Sequence, residues 1–370
     1  MKNKIQSFMK AQPVLMIAFL AALVTMFIIP PDAAYIGYCN RTVLIQLFSL
    51  MTAVAGLRSI GIFEKMTDFL LGKAGTVRRL GLLFVLICFF SSMLVTNDVA
   101  LLTFVPLTLL AFQDIQDEKS RILTIVLETA AANLGSMLTP VGNPQNLYLY
   151  DTYQMTAGTF LKTMLPAGIL SLIFLIFLTS LLPTTSCHSA RTKTAAVSQK
   201  YAVVYGILFL FCLLTVFRII PDWICLTAAV LTALIFDRKL LLKVDYALLA
   251  TFICFFVFVG NIARIETVRQ FFSQILNGRE MLISALLSQV ISNVPAAVML
   301  SGFTENGTSL LLGVNLGGLG TLIASLASLI SYQFYRKADG AKSGMYLLVF
   351  SAVNFGMLII LLLLHLWLFR

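Results

Sequence analysis

The sequence predicts an all-α polytopic membrane protein made of two inverted-topology repeats. Each repeat contains a re-entrant helical hairpin and a broken helix, with about nine spans plus two hairpins in all. Three observations predict this. The 370 residues are 59% hydrophobic and only 11% charged, where soluble domains average about 45–50% and 25%. The mean hydropathy of +0.94 agrees. Most of the chain is therefore solvated by lipid, which excludes a cytosolic enzyme, a nucleic-acid binder and a secreted scaffold. Second, the basic residues gather in alternate loops. Third, two apolar runs are polar at their centres.

In chain order, Lys2, Lys4 and Lys10 precede an apolar run over 12–30, read as a retained first helix because no convincing cleavage site follows. Further apolar runs fall at 41–57, 80–112, 120–150, 158–183, 201–218, 222–236, 244–262, 279–303, 308–335 and 343–369. A span needs about 20 residues. The run 80–112 is too long for one span, too short for two, and carries Thr96-Asn97-Asp98 at its centre. The run 279–303 carries Ser292-Asn293 and Pro295, and reads either as one kinked span or as a second hairpin. Non-helical backbone at that depth must be buried in protein or line a wet cavity.

Charge favours the hairpins. With the N-terminus inside and both runs returning to their starting side, 19 of the 26 Lys and Arg residues fall inside. That obeys the positive-inside rule, so the net charge of +10 is a topology signal rather than a sign of nucleic acid. The expected organisation follows. Residues 1–183 form the first repeat, with hairpin 80–112 and broken helix 120–150. Residues 184–221 form a cytoplasmic loop and linking helix. Residues 222–370 form the second repeat, with hairpin 279–303 and broken helix 308–335. Short matches recur in the same order: Gly56-Leu57-Arg58 with Gly260 to Arg264, Thr96-Asn97 with Ser292-Asn293, and Asn133-Leu134-Gly135-Ser136 with Asn315-Leu316-Gly317-Gly318. Inverted repeats with discontinuous helices mark secondary transporters.

The stretch from Asn133 to Asn146 holds two prolines and two glycines, which break the hydrogen-bond ladder. Its freed carbonyls and amides are oxygen ligands for a cation, and the restarting helix attracts an anion. The counterpart, Asn315 to Thr321, uses three glycines. Substrate contacts are expected from Thr96, Asn97, Ser292, Asn293, Asn143, Asn146 and Thr321. Cation coupling is expected from Asp98, Asn133, Gly135, Ser136, Asn315, Gly317, Gly318 and Glu128, with Na⁺ near Asn97, Asn133, Asn293 and Asn315. Asp98 is the sharpest, because a carboxylate in hydrocarbon is costly; its alternative role is a helix N-cap. Glu128 reads as a proton relay or as a polar contact near the inner interface. Ser325 and Ser328 read as small packing positions, and Arg58 and Arg264 as side chains snorkelling to the interface. No Lys or Arg is expected in the site. The six cysteines read as small core hydrophobes. No nucleotide-binding loop, zinc-protease or serine-hydrolase signature occurs, so no enzyme is expected.

Thr96-Asn97-Asp98, the break Val141-Gly142-Asn143-Pro144-Gln145-Asn146, and Ser292-Asn293 with Asn315-Leu316-Gly317-Gly318 resemble the ion transporter superfamily. That group includes divalent anion/sodium symporters, citrate permeases, arsenite permeases and one class of Na⁺/H⁺ antiporters. The resemblance runs from about 41 to 369. It implies a homodimer in the plasma (inner) membrane, its N-terminus cytoplasmic, moving substrate by an elevator-like motion. Thr96-Asn97 and Ser292-Asn293 match hairpin motifs that contact substrate and Na⁺. Asp98 and Val294 stand where the dicarboxylate branch has Thr, and an Asn-Asp pair is more similar to the arsenite and citrate branches. The expected function is secondary transport of a small anion (citrate, a dicarboxylate, or an oxyanion such as arsenite) coupled to H⁺ or Na⁺, with no other cofactor. A Na⁺/H⁺ antiporter without organic substrate is the alternative.

Overall fold

The computed structural model describes residues 12–65, 75–113, 115, 117–187 and 197–368. Lys2, Lys4, Lys10, Lys73, Arg191, Lys193 and Arg370, which entered the charge argument, lie outside them. Helices account for all the regular structure among the described residues apart from one isolated bridge, Thr76 to Ser186.

Helix α1 (Pro13–Ile28) starts on a proline, whose fixed φ suits a first turn. Asn40 caps α2 (Arg41–Ser59) by accepting the Val43 N–H. The first hairpin consists of α3 (Val77–Val95) and α4 (Asn97–Ala111). The first broken helix consists of α5 (Glu118–Ser136) and α6 (Pro144–Thr152), and α7 (Ala157–Thr179) closes the repeat. The linking helix α8 (Gln199–Val216) leads to α9 (Asp222–Phe236), α10 (Tyr246–Ala263) and the amphipathic α11 (Glu266–Leu276). The second hairpin is α12 (Glu280–Ile291) with α13 (Asn293–Ser301), and the second broken helix is α14 (Gly307–Leu316) with α15 (Leu326–Arg336). Helix α16 (Ser343–Leu368) ends the described chain.

Helices α2, α3, α7, α8, α10 and α16 are long and apolar enough to cross a membrane alone. One of these, α3, is a hairpin arm. The expected spans are therefore made up by the shorter apolar helices α1 and α9 and by the two broken helices, each of which crosses only as a pair of halves. Both expected hairpins have formed, so 279–303 is not one kinked span: Ser292 turns the chain with φ +75° and ψ 154°.

Packing divides these helices into two groups. In the first group α1 runs along α10, and α2 runs along α8 and α9. In the second, the hairpins and broken helices interlock: α3 and α4 pack on α5, α12 on α14, α4 on α15, and α13 on α6. The last two contacts each join a hairpin of one repeat to the second half-helix of the other. Small residues permit this closeness. A Cβ on Gly135 would lie 2.0 Å from the Phe89 carbonyl oxygen, and one on Gly313 would lie 2.0 Å from Ser284 Oγ. No side chain fits at either point.

Candidate functional site

The two hairpin tips have the same backbone. Thr96 stands at φ +73°, ψ 150° and Ser292 at φ +75°, ψ 154°, a region that side-chain-bearing residues enter at a cost of about 1–3 kcal/mol. The conformation turns the next residue, Asn97 or Asn293, into the first turn of the outgoing arm. Each Asn then accepts its neighbour's N–H through Oδ1, from Asp98 at 3.0 Å and from Val294 at 2.9 Å. Asp98 therefore does not cap α4: it lies within the first turn of that helix, whose N-cap position is Thr96.

Each tip is docked on the break of its own repeat. Asn97 N–H donates to the Gly142 carbonyl at 3.1 Å, and Asn293 N–H to the Ala324 carbonyl at 2.9 Å. Thr139 Oγ1 donates to the Met93 carbonyl, as Thr321 Oγ1 donates to the Gln289 carbonyl at 2.9 Å. Thr321 is thus tied to the hairpin arm.

The repeats then meet through amides and hydroxyls. Asn133 Oδ1 accepts from Asn97 Nδ2 at 2.9 Å and from Ser325 Oγ at 3.0 Å, while its Nδ2 approaches Gly318 O and Ser328 Oγ at 3.4 Å. Asn315 makes the mirrored contacts. Its Oδ1 accepts from Asn143 Nδ2 at 3.1 Å, and its Nδ2 donates to Asn146 Oδ1 at 2.6 Å. Asn143 and Ser325 start the restarted half-helices α6 and α15, with Asn146 and Ser328 one turn on. Gly318 touches the second tip: a Cβ there would lie 2.9 Å from Asn293 Nδ2. The four expected asparagines therefore converge, with Ser136 buried among them as the acceptor of Asn143 Nδ2 at 3.2 Å. Gly135 and Gly317 are close-approach positions.

Three expectations are corrected. The carbonyls expected to bind a cation already have donors. Asn146 Nδ2 reaches the carbonyls of Ser136, Met137 and Thr139 at 3.2, 3.3 and 3.0 Å. Gln289 Nε2 reaches those of Gly317 and Leu319 at 2.9 and 3.0 Å. A buried orphan carbonyl costs free energy, and an amide on the facing element removes that cost. Ser325 and Ser328 are polar partners of Asn133, not mere packing positions. Arg58 is exposed, as snorkelling expects, and also serves the first hairpin. Its Nη2 donates to the Leu102 carbonyl at 3.2 Å, the acceptor that Pro106 of α4 leaves without a helical donor.

Arg58 also corrects the expectation of a site without Lys or Arg. A cavity of about 570 Å³ lies between α2, the first hairpin tip and the start of α10, and its polar lining is Arg58, Ser59, Glu64, Thr96, Asp98, Lys243 and Asp245. Pro144, the first residue of α6, also borders it, so the positive end of that half-helix faces the cavity. The ion pairs among the described residues, Arg121–Glu118 and Arg264–Asp32, involve none of these groups. The related face of the second repeat is packed shut. There α13 lies on α10, Tyr148 contacts the Phe252 and Phe256 rings at 6.1 and 5.6 Å, and Tyr148 and Ser301 hydroxyls are hydrogen-bonded at 2.7 Å. One repeat is open and its mate closed. Glu128 lies apart from the tips, fully buried, with Thr108 Oγ1 donating to its Oε1 at 2.5 Å.

Residues 6–306 match the citrate transporter family. The chain belongs to the citrate transporter family. It is 33% identical over 325 residues to an uncharacterized transporter of Methanocaldococcus jannaschii, covering 85% of this chain and 86% of that one. It is 31% identical over 296 residues to the inner membrane protein YbiR of Escherichia coli, covering 78% of each. Among solved structures it resembles the YdaH transporter of Alcanivorax borkumensis, with a TM-score of 0.59 at 14% identity over 91% of this chain and 87% of the other. That likeness is one of fold. This member of the citrate transporter family is thus a multi-pass membrane transporter and not an enzyme.

Proposed function

We propose that the chain is a secondary active transporter of a small anion (citrate, a dicarboxylate or an oxyanion), driven by H⁺ or Na⁺ through alternating access. The observation that carries the reading is Asp98. It sits on a strained hairpin tip and opens into a cavity whose mate in the other repeat is closed. A site reached from one side at a time is what accumulation against a gradient requires. The positive end of α6, with Arg58 and Lys243, would receive the anion, and Asp98 would hold the coupling cation beside it. Membership of the citrate transporter family supports the substrate class. The plasma membrane, a cytoplasmic N-terminus and a homodimer moving elevator-fashion belong to the same proposal.

The alternative, a Na⁺/H⁺ antiporter, is favoured by one feature: Asp98 and Asp245 line the same cavity, and two carboxylates attract cations. Uptake into proteoliposomes under imposed Na⁺ or proton gradients, with a panel of anions, separates the two. Gradient-driven anion accumulation that Asp98→Asn abolishes is the expected result. Cation exchange with no anion moved would overturn it in favour of the antiporter. Accumulation that survives Asp98→Asn with its Na⁺ and pH dependence intact would move the coupling elsewhere.

A further inference from the structure

Glu128 sits in the middle of α5 with none of its surface exposed. No basic group pairs with it: the ion pairs among the described residues involve other carboxylates. Its Oε1 accepts the Thr108 hydroxyl at 2.5 Å, and its Oε2 has no hydrogen-bond partner. A carboxylate so placed carries a charge that nothing compensates.

What surrounds it is the second observation. Thr124 lies one turn earlier on the same helix, and Tyr346 of α16 is near enough to interact electrostatically with Glu128. Thr124 Oγ1 is buried and lacks a partner, while the buried Tyr346 hydroxyl has Thr129 of α5 as a side-chain hydrogen-bond neighbour. Cys88, also fully buried, belongs to α3, which packs on α5. The cavity-facing carboxylates of Asp98 and Asp245 do not enter this cluster. One hydroxyl, that of Thr108, thus reaches the carboxyl, and Oε2 is left an empty acceptor in the protein interior. In low dielectric such a mismatch is costly unless the group changes state.

We propose that Glu128 is a proton-carrying site of this transporter, separate from the hairpin tip, and that Thr108 links its state to that tip. A proton bound to Oε2 converts the carboxylate to a neutral carboxyl. When the proton leaves, the carboxylate keeps the Thr108 hydroxyl as its donor. Thr108 belongs to α4, the arm that begins at Asn97 and Asp98 and is bridged to α2 by Arg58. A change at Glu128 is therefore felt by the arm that carries the tip.

The coupling role rests on the transport reading above, while the proton itself can be read without any transport. Infrared difference spectra of the purified protein between acidic and alkaline buffer should show the carbonyl stretch of a buried carboxyl group, shifting in D₂O. Glu128→Gln, close to isosteric, should remove that band, and Asp98→Asn should leave it. Thr108→Val should move it to higher frequency, because the carbonyl loses a donor. This variant also serves if Glu128→Gln fails to fold. In proteoliposomes, Glu128→Gln should lose proton uptake accompanying the anion. A band that persists in Glu128→Gln, or that disappears with Asp98→Asn instead, overturns the assignment. So does a Thr108→Val spectrum identical to that of the unsubstituted protein. If no anion is moved at all, the transport reading fails and the band still decides the site.

Discussion

Asn133 joins the repeats, and removing its side chain tests whether that junction holds the site together. Asn133→Ala deletes the acceptor of two good hydrogen bonds, from Asn97 Nδ2 at 2.9 Å and Ser325 Oγ at 3.0 Å, and two long contacts at 3.4 Å. Leaving two buried donors unpaired would cost about 1–3 kcal/mol each in a soluble core. Hydrogen bonds between membrane helices couple more weakly, at about 0.6 kcal/mol on average and about 1.7 at most, because freed groups find other partners. For two bonds the expected loss is about 1–3 kcal/mol. Reversible unfolding by SDS in mixed micelles measures it. A double-mutant cycle with Ser325→Ala isolates one bond, and the coupling should be close to 0.6 kcal/mol. Asn133→Asp keeps an oxygen to accept both bonds and should lose less stability than Asn133→Ala. If the Asn133→Ala and Ser325→Ala losses add within about 0.3 kcal/mol, and those of Asn133→Ala and Asn97→Ala do too, the junction is not held by these bonds and the reasoning fails.

Two further outcomes are expected. Gly135→Ala puts a Cβ 2.0 Å from the Phe89 carbonyl oxygen, which is backbone and cannot swing aside, whereas Gly206 has nothing within 4 Å. Gly135→Ala should therefore lose at least about 1–3 kcal/mol in thermal unfolding, while Gly206→Ala is neutral or slightly stabilising; equal effects would contradict the close packing of α3 on α5. Cysteines placed at Gly75 and Gln113, both exposed at the base of the first hairpin, should label from the same side of the membrane, and labelling from opposite sides would make α3 and α4 two full crossings.

The amino-acid sequence by itself determined the lipid-solvated class, the polar tips at Thr96-Asn97 and Ser292-Asn293, and the breaks after Asn133 and Asn315. These are one-dimensional features: hydropathy over a span length, prolines and glycines that stop a helix, and an Asn where hydrocarbon allows none without a partner. Ser325 and Ser328 read as packing positions, yet the sequence holds a signal for their role. They follow Asn315 at the spacing by which Asn143 and Asn146 follow Asn133, and that register is visible in the letters, though Ser is also an ordinary packing residue. Tertiary structure decided the rest. Only the facing of one element on another could show that Asn146 and Gln289 take up the carbonyls freed at the breaks, or that Arg58 reaches the carbonyl orphaned by Pro106 on a helix far away in sequence. Only packing could bring Lys243 and Asp245 beside Asp98. The open cavity is likewise invisible to sequence, because two repeats with the same motif take different packings against α2 and α10. A hydrogen bond or a gap between distant elements depends on where their backbones lie, and no local pattern of residues encodes that position.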